Sequence, residues 1–207
     1  MISKDDNSLI ITISKTSKLI SMKEKFWDYD NTTSFDFNNF DTSNIINMDG
    51  AFGCCRSLKS LDLSSFDTSK VISMNLMLAQ CSSLISINLS NFDTSNSIAM
   101  IMMFYQCSSL PILDLSSFDF SNVKDITNMF TGCTSLVDLK FGKNLKVSIN
   151  LSDCPLSHES ALSVIDGLAE VKEQEIIRFS EETYAALSAK EKQIIKNKNW
   201  LYIPFIN

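Results

Sequence analysis

The sequence predicts an α/β solenoid in which 26-residue coils stack on one another between a cap at each end. The motif Phe-Asp-Thr-Ser begins at Phe40, Phe66 and Phe92, and it returns with one change at Phe118. Cysteines keep the same step at Cys55, Cys81, Cys107 and Cys133. A fixed period of this length is typical of repeat proteins, because each repeat buries its apolar face only against its neighbours.

A short strand is expected in every coil. The spacing L-x-x-L-x-L-x-x-F occurs as Leu58, Leu61, Leu63 and Phe66, and it recurs in the next two units. Two apolar residues at i and i+2, such as Leu61 and Leu63, indicate a strand that turns both side chains inward and Asp62 outward. Stacking of the coils then places these strands in a parallel sheet along one face.

A second apolar set follows the Phe-Asp-Thr-Ser corner at helical spacing. Asp, Thr and Ser bond nearby backbone N–H groups and therefore favour a turn at this corner. Apolar residues at i and i+4 predict a short helix or 3₁₀ turn on the convex side of each coil, with its apolar face inward. The pairs are Met48 and Phe52, Met74 and Leu78, Met100 and Phe104, and Ile126 and Phe130.

The cysteine column is interpreted as a set of reduced thiols in the core. Free cysteine is among the most buried residue types. Disulfides between successive members are conceivable, but each cysteine has two neighbours and could pair with only one. Zinc is disfavoured because a linear column does not form a tetrahedron.

Composition narrows the classes of partner. The chain has 207 residues, 44% of them hydrophobic and 20% charged, with a net charge of −6. Nucleic-acid binding requires a dense basic face, so we expect no nucleic-acid partner. No apolar run approaches the roughly 18 residues of a membrane span, and the first residues lack the basic region of a signal peptide. We therefore expect no membrane insertion and no signal peptide.

The repeat resembles known families. Its apolar spacing is similar to the leucine-rich repeat pattern. The longer string Leu-Asp-Leu-Ser-Ser-Phe-Asp-Thr-Ser, followed by Met, Met-Phe and Cys-Ser-Ser-Leu, resembles the 26-residue BspA-like surface-protein repeats of bacteria, and similar units occur in mycoplasma-type lipoproteins. The resemblance covers residues 34 to about 145, with a local departure at Pro111. It implies a non-catalytic adhesion or recognition module and carries no defined ligand residues.

Three segments are predicted. Residues 1–33 form an N-terminal cap or docking segment that includes a strand at Leu9-Ile10-Ile11-Thr12-Ile13, residues 34–145 hold the repeats, and residues 146–207 form strand–helix units and a cap. In the last segment Ser188-Ala189-Lys190-Glu191 is a capping box at a helix start. This tail resembles the C-terminal units of proteins of gut bacteria and their phages, at Leu156-Ser157-His158-Glu159-Ser160 and at Asn197-Lys198-Asn199-Trp200.

No sequence feature predicts catalysis. The chain has one histidine, His158, beside a predicted helix start, where a capping or solvent role is favoured. Motifs for acyl transfer, metal-assisted hydrolysis, nucleotide binding and dinucleotide binding are missing from the sequence. We therefore expect a protein that is not an enzyme and that has no cofactor and no metal site.

The candidate binding residues lie on the outward side of the predicted strands. They are Asp36, Asp62, Asn88, Asp114 and Lys140, with Ser34, Ser60, Ser86, Ile112 and Asp138 alongside. Concave sheet faces of repeat proteins often bind partners, which favours recognition or adhesion, with a protein or glycan ligand, on a bacterial surface or phage particle. The alternative is a structural accessory component of a phage virion, in its tail or capsid, whose terminal segments contact neighbouring virion proteins.

Overall fold

The computed structural model describes residues 2–5, 8–11, 19–37 and 40–204. The elements in this part of the chain are short strands and three α-helices, and all the helices follow the repeats. In chain order they are β1 (Ile2–Asp5), β2 (Ser8–Ile11), β3 (Ser34–Asp36), β4 (Ser60–Asp62), β5 (Ser86–Asn88), β6 (Ile112–Asp114), β7 (Asp138–Lys140), β8 (Ile149–Leu151), α1 (His158–Gly167), β9 (Glu175–Phe179), α2 (Glu181–Ala186), α3 (Ala189–Asn197) and β10 (Trp200–Tyr202).

The strands of the repeats pair in parallel, one repeat apart. β4 pairs with β5 and β6 with β7, so that Leu61 faces Ile87 and Leu113 faces Leu139. Leu61 and Leu63 are buried while Asp62 is exposed. The prediction of one short parallel strand in each 26-residue unit, here called a coil, is confirmed for these coils. At the ends of the chain, β1 and β2 form an antiparallel pair beside β3, and β8, β9 and β10 form a parallel sheet.

A second row of parallel contacts links the coils and extends further back than the predicted repeats. The bridges join Ser21 to Asn47, Asn47 to Ser73, Ser73 to Ala99 and Ala99 to Asp125. Each step again equals one repeat. The repeating geometry therefore begins at residue 21, inside the segment that was predicted to be a cap. The remainder of the strand predicted in that segment, Thr12 and Ile13, lies outside the described residues.

The sequence predicted a short helix or a 3₁₀ turn on the convex side of each coil, and the described residues there have turns with hydrogen bonds between residues three apart and no α-helix. The backbone amides of Met48, Gly50 and Phe52 donate to carbonyl oxygens of the next coil over 2.7–2.9 Å instead of to their own turn. Left-handed φ angles recur at two positions in each coil, for example 59° at Gly50 and 60° at Cys54. Residues 49–54 form consecutive turns, and Met48 and Phe52 are fully buried as the spacing requires.

The cysteine column lies in the core and links successive coils. The thiols of Cys81, Cys107 and Cys133 each donate to a backbone carbonyl of the preceding coil over 3.1–3.2 Å. All six cysteines of the chain are free and buried. Burial raises the pKa of the Cys55 and Cys133 thiols to about 12. These thiols therefore stay protonated at neutral pH and serve as hydrogen-bond donors.

The strand ladder of the repeats is interrupted between β3 and β4 and between β5 and β6, and Pro111 lies at the second of these points. At the equivalent positions, the amides of Lys59, Ile85 and Val137 donate to the preceding coil over 2.9–3.1 Å. Proline has no amide hydrogen and cannot make this bond. β5 and β6 lie side by side without this bond and without forming one sheet. The sequence departure at Pro111 thus has a structural consequence.

Helix α1 closes the free edge of β7. Ser157 caps the helix by accepting from the amide of Ser160, and Gly167 is its last residue. A Cβ atom at Gly167 would lie 2.2 Å from the carbonyl oxygen of Gly142, so glycine permits the close approach of helix and chain. The predicted capping box at Ser188 and Glu191 is confirmed at the start of α3.

Candidate functional site

The five predicted binding residues lie in one row on the strands β3 to β7. Asp36, Asp62, Asn88, Asp114 and Lys140 are all exposed. The parallel register places Asp62 opposite Asn88 and Asp114 opposite Lys140. This surface, with the neighbouring outward residues Ser34, Ser60, Ser86, Ile112 and Asp138, is here called the strand face.

Three members of the row also stabilise the turn that follows their strand. The Oδ1 atoms of Asp62, Asn88 and Asp114 accept from the amide two residues later over 2.9–3.2 Å. The hydrogen bond from the Ser64 amide lowers the pKa of the Asp62 carboxyl. Asn88 makes the same bond without a charge. An amide therefore suffices for the turn, and the negative charge of Asp62 and Asp114 is not required by it.

Asp114 and Lys140 form an ion pair across neighbouring strands. The Nζ of Lys140 lies 3.1 Å from Oδ2 of Asp114, with both side chains largely in solvent. An exposed pair of this kind contributes roughly 0–1 kcal/mol to stability. Its main effect is to neutralise one carboxylate at the C-terminal end of the strand face.

A groove lies where the strand face meets helix α1. It has a volume of about 410 Å³, within the range of ligand sites. Its lining residues come from β6, β7 and the first turns of α1. They are Ile112, Leu113, Asp114, Asp138, Leu139, Lys140, Ser157, Glu159, Ser160 and Ser163. We call this cavity the terminal groove.

Sequence reasoning found part of the terminal groove and missed the rest. Asp114 and Lys140 were predicted binding residues, and Ile112 and Asp138 were placed beside them. Glu159 and Ser163 were not predicted, because they reach the groove only through the packing of α1 on β7. No repeat period or local motif marks that packing.

The sequence analysis also did not predict a second exposed row, which consists of isoleucines. Ile20, Ile46, Ile72 and Ile98 are 42–56% exposed and follow one another at the repeat step. The amide of each later isoleucine donates to the carbonyl of the one before it over 2.8–2.9 Å. The row ends at Lys124, which is exposed at the next equivalent position. An alignment of the 26-residue repeats shows this row as an isoleucine at the same position in four successive units. The row stands out because a surface position would ordinarily be polar. We call these four residues the isoleucine row.

The other residue considered for catalysis, His158, lies at a helix start beside an acidic side chain. His158 begins α1, and its Nε2 lies 3.3 Å from Oε1 of Glu191. Within residues 19–37 and 40–204, no three His, Cys, Asp or Glu side chains are grouped so as to hold a metal ion. No helix in the described part of the chain is long and apolar enough to cross a membrane.

Parallel strands and turn ladders that recur with a 26-residue period define the class: a repeat protein of mixed α/β structure. The chain belongs to the family described as Mycoplasma protein of unknown function, DUF285, whose model matches residues 15–142. This match covers more than half of the chain and, like the bridge at Ser21, begins before residue 34. Comparisons with curated proteins and with solved structures find no match. The resemblance to BspA-like repeats stays a prediction.

Proposed function

We propose that this chain is a non-enzymatic recognition module, in which the coils form a continuous leucine-rich-repeat solenoid of BspA-like type. Its strand face binds a protein or glycan partner on a bacterial surface or phage particle. The observation that carries the proposal is the row of exposed polar side chains on β3 to β7, which leads into a groove of about 410 Å³. Extended surfaces of this kind are the usual binding faces of stacked repeats.

The strand face is preorganised for binding. Backbone pairing fixes the spacing of β4 with β5 and of β6 with β7. The hydrogen bonds made by Asp62, Asn88 and Asp114 fix the turns after β4, β5 and β6. A partner therefore meets side chains whose backbone is already ordered. Preorganisation raises affinity because less conformational entropy is lost on binding.

Variants that test the strand face must leave its turns intact. Substitution of Asp62 by lysine would remove the acceptor for the Ser64 amide. A loss of affinity in that variant could then come from a disturbed turn and not from a lost contact with the ligand. Ser60 and Ser86 are better positions, because both are exposed on the same face. Ser60→Arg and Ser86→Arg add bulk and charge to the face. Ser65→Arg is a matched control, since Ser65 is an exposed serine after the strand.

The test is a binding screen with the full chain. The immobilised protein is exposed to a glycan array and to a displayed library of random peptides, and each ligand found is titrated against the variants. We expect Ser60→Arg and Ser86→Arg to weaken binding by at least about tenfold, or about 1.4 kcal/mol, and Ser65→Arg to leave it unchanged. Ligands that bind all three variants as tightly as the parent chain would overturn the proposal.

The structural role in a virion is the competing outcome, and mass spectrometry of gradient-purified particles from the native source tests it. A fixed copy number of the protein in particles would favour a structural role. If binding to the particles is also unaffected by Ser60→Arg and lost on removal of residues 1–18, the structural role is supported and the recognition proposal is overturned. Presence on cell envelopes, with loss of ligand binding in Ser60→Arg, would support recognition.

A further inference from the structure

We infer that the terminal groove binds a peptide that inserts a cationic side chain, arginine or lysine, between β7 and α1. This inference rests on the proposed function and names the partner class for one end of the strand face. The groove combines a concave shape, an apolar wall and two carboxylates, those of Asp138 and Glu159, that have no ion-pair partner within the described part of the chain.

The polar groups of the groove are almost all engaged by the protein itself. The Ser160 hydroxyl accepts from the amide of Leu139 over 2.8 Å and donates to the carbonyl of Val137 over 3.0 Å. The Ser163 hydroxyl accepts from the amide of Phe141 over 2.9 Å. Ser157 caps α1. None of these serine hydroxyls is left as the main contact for a ligand.

The charges leave an uncompensated excess of negative charge. Lys140, the cation of the groove, is paired with Asp114 at 3.1 Å. Among the described residues, Asp138 and Glu159 have neither an ion-pair partner nor a side-chain hydrogen bond. With Asp114 and Lys140 cancelling, the ten lining residues carry two net negative charges. Charge complementarity therefore selects a cation and disfavours an anionic ligand.

The apolar wall selects the type of cation. Ile112 is 59% exposed and lies opposite Asp138 in the strand register. Arginine and lysine carry a charged group on an aliphatic stem that packs along apolar surface. A stem against Ile112 would bring the charged end to Asp138 and Glu159. A bare metal ion would gain nothing from the isoleucine, so a peptide side chain fits this groove better.

Nuclear magnetic resonance of the ¹⁵N-labelled full chain tests the inference with three blocked peptides. They are acetyl-Val-Arg-Val-amide, the same peptide with citrulline, which keeps the planar shape without the charge, and the same peptide with glutamate. We expect the arginine peptide to shift the amide signals of Ile112, Asp138 and Glu159. Its affinity should fall as salt is added, because screening weakens the attraction.

Two double variants test whether the carboxylates of the groove, and not acidic residues elsewhere, bind the arginine peptide. Asp138→Asn with Glu159→Gln should weaken the arginine peptide by at least about tenfold. Glu181→Gln with Glu182→Gln, which neutralises two exposed acids at the start of α2, should leave its affinity unchanged. Equal affinity for arginine and citrulline, or full binding to the first variant, would overturn the inference.

Failure here is distinguishable from failure of the proposed function. Absence of shifts with every peptide would overturn the cationic partner, while a ligand from the array screen that is lost in Ser60→Arg would still support recognition by the strand face. In the converse result, the arginine peptide binds the groove while Ser60→Arg leaves the binding of every array ligand unchanged. That result would support the inference and would restrict recognition to the terminal groove.

Discussion

The hydroxyl oxygen of Ser160 on helix α1 accepts a hydrogen bond from the backbone amide of Leu139 in β7 over 2.8 Å. A second helix serine one turn later, Ser163, accepts from the amide of Phe141. Open strand edges invite pairing with other chains. In this protein two serines at i and i+3 replace a neighbouring strand and close the edge of β7.

Removal of this edge closure should destabilise the chain. Ser160→Ala leaves the buried amide of Leu139 without an acceptor, which costs about 1–3 kcal/mol in the free energy of unfolding. Urea unfolding followed by circular dichroism measures the change. Ser65→Ala, at an exposed serine, is the control and should change the free energy by less than about 0.5 kcal/mol. Equal stability of the two variants would show that α1 does not depend on this bond.

Lys198 should stabilise the end of α1. Its Nζ donates to the carbonyl oxygens of Ile165, Asp166 and Leu168 over 2.7–3.1 Å, and partial burial lowers the pKa of its ammonium group. Lys198→Met keeps the apolar stem and removes the donor. We expect a loss of about 1–3 kcal/mol in urea unfolding. Lys196→Met, at an exposed lysine of α3, supplies the comparison, and a similar loss there would contradict the assignment.

Pro111 should control the protection of the ladder between β5 and β6. Pro111→Val supplies the amide hydrogen that Ile85 and Val137 already have at the equivalent positions. We expect the new amide to bond the carbonyl of Ile85 and to exchange with deuterium as slowly as the amides of its two counterparts. Residue-resolved hydrogen exchange gives the answer. Fast exchange at residue 111 would mean that another feature separates the strands.

The strands were predictable because their signal is local. Side chains alternate along a strand, so Leu61, Asp62 and Leu63 already indicate which face each occupies. The Ser188 capping box was predictable for the same reason, since all its atoms lie within one helical turn of the cap. Asp114 and Lys140 followed from this alternation, and the structure adds that they form an ion pair.

The hydrogen bonds between the turns of neighbouring coils, and the part of the groove that α1 lines, were not predictable because their partners are distant in sequence. Met48 and Phe52 have the i, i+4 spacing of a helix, but that spacing fixes only which side chains are buried. The amide of Met48 bonds to Ser73 in the next coil, a choice that the local sequence does not encode. Glu159 likewise joins the groove through the docking of α1 on β7.

The isoleucine row should contribute little to stability, in contrast to the core beside it. Ile72→Asn changes an exposed side chain, so we expect its free energy of unfolding to stay within about 0.5 kcal/mol of the parent chain. Met74→Ala, two residues away and fully buried, should cost about 2–5 kcal/mol. Urea unfolding compares the two. A large loss in Ile72→Asn would show that the row packs against part of this protein.

The cysteine column should make the fold sensitive to alkaline pH. The pKa of Cys133 is raised by burial to about 12 in the folded chain, whereas an unfolded cysteine has a pKa of about 8.5. The folded state thus retains a proton that the unfolded state releases. The stabilisation is complete below the unfolded pKa and is lost as the pH rises toward 12, by about 1.4 kcal/mol for each pH unit.

A variant without this thiol isolates the effect from other titrating groups. Under reducing conditions, the parent chain should lose about 2 kcal/mol more than Cys133→Ala between pH 8.5 and about pH 10. The cavity left by the substitution lowers stability equally at both pH values and cancels in the comparison. Parallel stability curves for the two proteins would contradict the prediction, because they would mean that water reaches the Cys133 sulfur before the coils separate.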